Sequence, residues 1–315
     1  MLVRDKNPLM VQAGKHPSNR TIEELLEAGV LNMDKPMGPT SHQATAWVRD
    51  ILGVDKIGHG GTLDPKVSGV LPVATGRAVR SLSLTLKADK EYICMMRLHR
   101  DKDEESIRSV MKTFIGRIYQ TPPVRSAVKR QLRVRTIHEL ELLEIDGRDV
   151  LFRVDCDAGT YIRTLCVDIG DALAVGASME DLRRTRSGNM TENDAFILQD
   201  IKDAYVEWKE EGDETWLRRI IQPLEVLFEP IQKVIIKDSA VDAICHGADL
   251  AAVGVYKADS SILENMPVAL MTSKGEAVAL GVAKMSATDM ISVNEGIAVL
   301  TDRVFMSTGT YPRMW

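Results

Sequence analysis

One stretch gathers the residue types that could do chemistry: Gly58-His59-Gly60-Gly61-Thr62-Leu63-Asp64-Pro65, continuing through Gly69 to Arg80. Glycine takes positive φ freely and proline fixes its own φ, so this composition forces tight turns around a single acid, Asp64. Val70, Leu71, Val73 and Ala74 then read as a buried element, which puts the carboxylate where a stiff loop meets the core. A carboxylate held in that way can serve as nucleophile or base. Taken by itself, an Asp in a glycine-rich loop is most often a turn former or a helix cap. A phosphate loop is excluded, because no Gly-Lys-Ser/Thr follows and the dinucleotide spacing of glycines is absent.

The elements around this loop can be read in order. The first 20 residues lack periodicity and read as an extended arm. Thr21 and Glu24 form a capping-box pattern before Ile22, Leu25 and Leu26, with Gly29 closing a short helix. A strand over 29–34 leads through Lys35-Pro36-Met37-Gly38-Pro39 to Thr40 or Ser41, either of which can cap a helix ending at Gly53. Lys90 to Leu98 alternates as a strand with Tyr92, Cys94, Met96 and Leu98 on one face, and Glu105 to Gly116 carries a helical apolar stripe. Two strands, 139–145 and 150–156, join at an Asp146-Gly147 hairpin turn. Thr160 can cap the next helix, whose Ile162, Leu165, Cys166, Ile169 and Leu173 point inward. Arg163 stands at that helix start, where its charge opposes the positive helix end and costs stability unless a carboxylate is near. Leu182-Arg183-Arg184-Thr185-Arg186 adds a basic cluster, and 208–214 reads as a charged connector before a helix carrying Trp216. From Ile231 the texture changes to short apolar runs broken by glycine, the pattern of a small barrel.

A chain of 315 residues can hold one large and one small domain, and 44% hydrophobic with 27% charged residues is ordinary soluble composition. No apolar run approaches the roughly 20 residues of a membrane span, and no secretory leader is apparent, so a cytoplasmic protein without a membrane partner is expected. Cys94, Cys156, Cys166 and Cys245 are scattered through apolar stretches and read as buried thiols rather than zinc ligands. A net charge of -5 does not predict a nucleic-acid partner, but distribution does: 106–138 contains no acid and eight cations, Arg108, Lys112, Arg117, Arg125, Lys129, Arg130, Arg133 and Arg135. Such a stripe can attract a phosphate backbone to one face.

The run Gly-Thr-Leu-Asp-Pro at 61–65 resembles the catalytic loop of the TruB and dyskerin family of pseudouridine synthases. Three further segments are similar to motifs of that family: Asp34-Lys35-Pro36 with Thr40-Ser41, the Lys-x-Tyr at 90–92, and Gly159-Thr160-Tyr161-Ile162-Arg163. The Lys129 to Arg135 continuation looks like the dyskerin branch, and 232–306 resembles a PUA domain through Cys245-His246-Gly247-Ala248-x-Leu250, although Val253 stands where a proline is expected. The resemblance implies an α+β fold: an arm over 1–20, a catalytic domain over 21–230 built on a mainly antiparallel mixed sheet flanked by helices, a PUA domain over 232–306 and a tail over 307–315. It implies Asp64 as the catalytic residue, Tyr92 stacking on the target base and Arg163 pairing with Asp64. It further implies RNA or substrate contacts from His59, Lys35, Leu182, Arg183, Arg184, Lys129, Arg130, Gly247 and Ala248. Read as a residue alone, His59 is equally a loop histidine bonded to backbone.

The implied activity is isomerisation of uridine to pseudouridine with no cofactor and no metal. The target is flipped out of folded RNA, at an unstacking cost of a few kcal/mol. The branch implies guide-directed action on ribosomal RNA within an H/ACA ribonucleoprotein, with small Nop-type, Gar-type and kink-turn-binding ribosomal-type proteins as partners, and guide-independent action on the tRNA T-loop uridine. Three alternatives stand beside it: a stand-alone tRNA synthase, a non-catalytic RNA-binding scaffold, and an Asp-dependent glycoside hydrolase. The last would need a second acid at a suitable distance.

Overall fold

The structure, a computed structural model, describes residues 1–5, 11–122 and 131–314. It divides into two compact units, one of Met1–Val30, Ala74–Ser81 and Ile221–Trp315, the other of Leu31–Val73 and Leu82–Ile220. Residues 21–30 and 74–81 thus group with the C-terminal β structure. Contacts between distant segments draw this division, and no composition shift marks it.

In the unit that carries Asp64 the sheet runs Gly29–Lys35, Ser68–Thr75, Ala177–Ser187, Lys90–Leu98, Asp149–Cys156, Arg133–Asp146, Gly116–Gln120. Its long strands pair antiparallel, while Ser68–Thr75 meets Ala177–Ser187 in parallel. Alternation works as a strand requires: Val150, Phe152, Val154 and Cys156 are all buried, and so are Cys94, Met96 and Leu98 on the strand beside them. The helix Ile162–Ala172 covers this face with Leu165, Cys166 and Ile169. All four cysteines are buried, free thiols.

Several local expectations shift. The helix expected from Glu105 to Gly116 is Glu104–Thr113, with Asp103 capping Ser106 N–H. Gly116 takes φ +107° and opens a strand, which leaves Ile115 47% exposed. The hairpin turn is Gly147-Arg148, one residue later than expected, because Asp146 pairs with Asp149. Residues 208–211 are not a connector but the last turn of the helix Leu198–Glu211, which Gly212 ends at φ +75°. Thr160 does not cap its helix. Its hydroxyl donates back to the Asp157 carbonyl, and Gln120, from a neighbouring strand, accepts from Tyr161 N–H at 2.9 Å in its place. The Thr21/Glu24 and Thr40/Gln43 capping boxes both form.

The other unit holds a seven-stranded sheet in the order Leu2–Val3, Val255–Ala258, Lys233–Ile236, Pro267–Met271, Ala277–Ala283, Ile297–Val304, Leu250–Ala251. Pairing is antiparallel except between Lys233–Ile236 and Pro267–Met271. The run expected as one strand from Leu250 to Val255 is broken by a turn at Ala252–Gly254. The arm is tied down along this unit: Leu2 pairs with Ala258, Val11 N–H donates to Asp238, and Lys15 N–H donates to Glu276. Glu276, buried, also accepts from Tyr311 at 2.7 Å, which fixes the tail beside the arm.

Candidate active site

The Asp64 loop is over-determined by its neighbours. Gly61 adopts φ +125°, closed to a side-chain-bearing residue without strain. Ser41, at the first turn of the helix Ser41–Leu52, accepts from Leu63 N–H at 2.8 Å and donates to Leu63 C=O at 3.0 Å. Asp64 C=O accepts from Val67 N–H at 2.9 Å, and Gly38 N–H donates to Pro65 C=O at 2.8 Å. Lys35 completes the frame. Its ammonium is fully buried and donates to Pro36 C=O at 2.9 Å and Val67 C=O at 2.8 Å. Burial holds its pKa below the ordinary lysine value, with nearby Asp64 acting in the opposite sense. Carbonyls thus take up the Lys35 donors, and the cation braces the loop from inside.

Asp64 itself stays open to solvent, its side chain 56% exposed, and its carboxylate accepts from Arg163 Nη2 in an ion pair. Arg163 lies in the first turn of the helix Ile162–Ala172, so the carboxylate supplies the compensation that a cation at a helix start requires.

Tyr92 is half-buried on the strand Lys90–Leu98, with its hydroxyl against the Arg184 guanidinium. Burial pushes the phenol pKa up, so the hydroxyl stays protonated. Arg184 is 1% exposed; its Nε donates to Val70 C=O at 2.7 Å and its Nη2 to Gly61 C=O at 3.2 Å. One buried cation thus links the Asp64 loop to Tyr92.

The basic cluster at 182–186 is largely engaged within the protein. Leu182 is 7% exposed and belongs to the core, Arg184 is internal, and Arg183 is bonded to Asp34 and Glu192, which raises its pKa further. A strand that alternates sides, with a register shift between Glu91 and Tyr92, turns Arg184 inward. His59 ends the strand Ile57–His59 beside the loop and lies edge-on to His42, with ring centroids 4.9 Å apart. Gly247 and Ala248 form an exposed turn after the helix Asp238–Cys245, Gly247 at φ +90°, in the other unit. Lys129 and Arg130 lie outside the described residues.

Three contributors escaped the sequence reading. Lys90 is buried and donates to Thr85 C=O at 2.6 Å and to Ala88 C=O, anchoring the strand two residues before Tyr92. Ser41 was legible as an alternative cap and as a motif residue but not as the clamp on Leu63, and His42 carried no signal. Among the described residues one group could gather a metal, Asp89, His138 and Asp157, with ligand atoms within 4.8 Å of one another. His138 Nε2 already bonds Asp157 at 3.1 Å there, and none of the three is bonded to Asp64.

A framed, solvent-facing carboxylate with an arginine beside it and an aromatic nearby is equipped for nucleophilic or base chemistry on a bound ring. Family models match along nearly the whole chain: the TruB family pseudouridylate synthase N-terminal domain at 49–162, the tRNA pseudouridylate synthase B C-terminal domain at 163–229, the PUA domain at 232–305 and the DKCLD (NUC011) domain at 1–45. The class is thus a pseudouridine synthase with an RNA-module domain behind it.

The chain belongs to the TruB family. It is 54% identical over 321 residues to a probable tRNA pseudouridine synthase B of Methanocaldococcus jannaschii, covering 99% of this chain and 96% of that protein. It is 55% identical over 302 residues to the Methanothermobacter thermautotrophicus protein of the same name, covering 96% and 93%. Among solved structures it is similar to a chain in an H/ACA ribonucleoprotein bound to a substrate RNA containing 2′-deoxyuridine, with TM-score 0.92, 49% identity, and coverage of 100% of this chain and 96% of that one. A chain in a Cbf5–Nop10–Gar1 complex gives TM-score 0.92 at 52% identity, covering 99% and 95%.

Proposed function

We propose that this chain isomerises uridine to pseudouridine in RNA as the catalytic subunit of a guide-directed H/ACA ribonucleoprotein acting on ribosomal RNA, and acts without a guide on the T-loop uridine of tRNA. The observation that carries the first part is the full-length likeness to chains solved within such assemblies. The names of the relatives support the second.

In this reading 21–230 does the chemistry. The bond from ribose C1′ to uracil N1 breaks, the base turns, and a bond forms from C1′ to C5, while the C5 proton is lost and N1 gains one. Asp64 is the reacting carboxylate, as a nucleophile at C1′ or C6 or as a base at C2′. Arg163 pairs with it and Tyr92 stacks on the flipped base. His59 fills the space the base leaves, and Lys129 and Arg130 contact phosphates.

Residues 232–306 hold the guide at the turn of Gly247 and Ala248, with 1–20 and 307–315 alongside. Partners are proteins of the Nop10 and Gar1 types and a kink-turn-binding ribosomal type. The site is cytoplasmic; no helix among the described residues is long and apolar enough to cross a membrane.

The test is to incubate the chain with unmodified tRNA and, separately, with ribosomal RNA, a matched guide and the partner proteins, and to map pseudouridine by site. Product on ribosomal RNA only when guide is present establishes the ribonucleoprotein reading. Product on tRNA alone favours a stand-alone synthase, and none under either condition leaves a binding scaffold.

A further inference from the structure

Two consecutive residues in the first turn of one helix reach the two ends of the loop that carries Asp64. Ser41 clamps Leu63 through both backbone groups, at 2.8 and 3.0 Å. His42 sets its ring edge-on to His59, with centroids 4.9 Å apart and planes at 87°. That turn is itself rigid, because Thr40 and Gln43 close a reciprocal capping box around Ser41 and His42.

Hydrogen bonds do not set the His59 ring. Its Nδ1 is buried with no hydrogen-bond partner, and among the described residues no hydrogen bond holds the imidazole. Its backbone is fixed as the end of the strand Ile57–His59, and the next residue is tied by Gly60 N–H to Pro72 C=O at 2.7 Å. Rotation of the ring about its own side-chain bond is left to packing, and the His42 ring, at right angles to it, is one contact that bears on it. His42 is exposed and contributes nothing to the core, so its place is not explained by stability.

We propose that His42 is a positioning residue for the isomerisation, holding the His59 ring at the start of the Asp64 loop while Ser41 holds the loop's other end. The proposal rests on the reading of Asp64 as the reacting carboxylate. Edge-to-face packing fixes one ring relative to another without a hydrogen bond, and does so for neutral rings. The surroundings agree: burial first, then the neighbouring His42 and Arg184, hold the His59 pKa below the ordinary histidine value. A neutral His59 presents a ring to RNA without bringing a second cation to the Asp64–Arg163 pair.

The experiment compares wild type, His42→Ala and His42→Phe as full-length chains. The His59 ring signals are followed by NMR across pH, with His59→Gln assigning the resonance. Single-turnover pseudouridine formation and RNA affinity are measured on the same chains. For His42→Ala the expected result is an upward shift of the His59 titration and a rate loss of about two- to tenfold, the equivalent of one aromatic contact. RNA affinity stays unchanged, and His42→Phe restores the rate because it restores a ring edge.

A His59 titration that does not move in His42→Ala overturns the proposal. So does an equal rate loss in both variants accompanied by a lowered melting midpoint, which would make His42 merely structural. If wild type forms no pseudouridine, the functional reading fails by itself, while the His59 titration still decides the contact.

Discussion

Arg183 holds Asp34 with both prongs of its guanidinium, at 3.0 and 2.9 Å, and turns its Nε to Glu192 at 2.8 Å. A cation between two anions has no charge left for a phosphate. Arg183→Ala should therefore leave the salt dependence of RNA binding unchanged, where loss of a phosphate contact would lower the slope by about one. It should cost about 1–3 kcal/mol of stability, since Asp34, with its side chain 24% exposed, loses its partner. Binding at several salt concentrations and urea unfolding measure both. A lowered slope with unchanged stability would return Arg183 to the RNA surface.

Asp64→Asn keeps the shape of the side chain and removes its charge. Pseudouridine formation should fall by about a thousandfold or more, while RNA affinity stays near wild type. Arg163→Ala should cost about a hundredfold, as loss of one charge-stabilising donor does, and Arg163→Lys less, since a charge remains without the planar fork. Single-turnover assays with site mapping decide the matter, and retained turnover in Asp64→Asn would remove Asp64 from the mechanism.

The Asp64 loop, the Tyr92 strand and the Arg163 helix were legible because they rest on local rules. Glycine and proline mark turns, alternation marks the strands of Val150 to Cys156, and a cation at a helix start calls for a carboxylate. The interior cations were not legible. Lys and Arg are usually exposed, so nothing in the sequence marks Lys35, Lys90 and Arg184 as interior. Each is instead enclosed by carbonyls, and those of Lys35 and Arg184 include groups from distant segments, Val67 for Lys35, Val70 and Gly61 for Arg184. No local pattern encodes such a cage. The same holds for Gln120, whose side chain accepts from the Tyr161 N–H from a strand 41 residues away while Thr160, the local candidate, turns elsewhere.

Gly60 offers a test of how tightly the loop is framed. A Cβ there would stand 1.9 Å from Thr85 Oγ1, 3.0 Å from Thr85 Cβ and 3.2 Å from Pro72 Cβ. Gly60→Ala should destabilise by about 1–3 kcal/mol, the usual cost of forcing a methyl into a packed site, and should lower turnover by displacing Asp64. Thr85→Ala in the same chain removes the hydroxyl but not the Cβ contact, so it should recover part of both losses. A double-mutant cycle on unfolding and on rate measures the coupling, and strictly additive effects would contradict the contact.

Lys90 gives a pH dependence of defined sign. Burial, with Arg184 nearby, lowers its pKa from 10.5 to about 8. Between those values the unfolded chain binds the proton and the folded chain does not, so this group makes stability rise with pH from about 8 to about 10.5, and adds no slope below. The full rise is on the order of 3 kcal/mol. Cys94, Cys156 and Tyr92 act in the opposite sense, since burial or the neighbouring thiol raises their pKa values. The wild-type curve alone therefore does not isolate Lys90, but its difference from Lys90→Met does. Urea unfolding of both chains at half-unit intervals from pH 7 to about 11 should show wild type gaining on the variant across that window. Parallel curves would mean that the Lys90 ammonium titrates as it does in the unfolded chain and is not confined by Thr85 and Ala88.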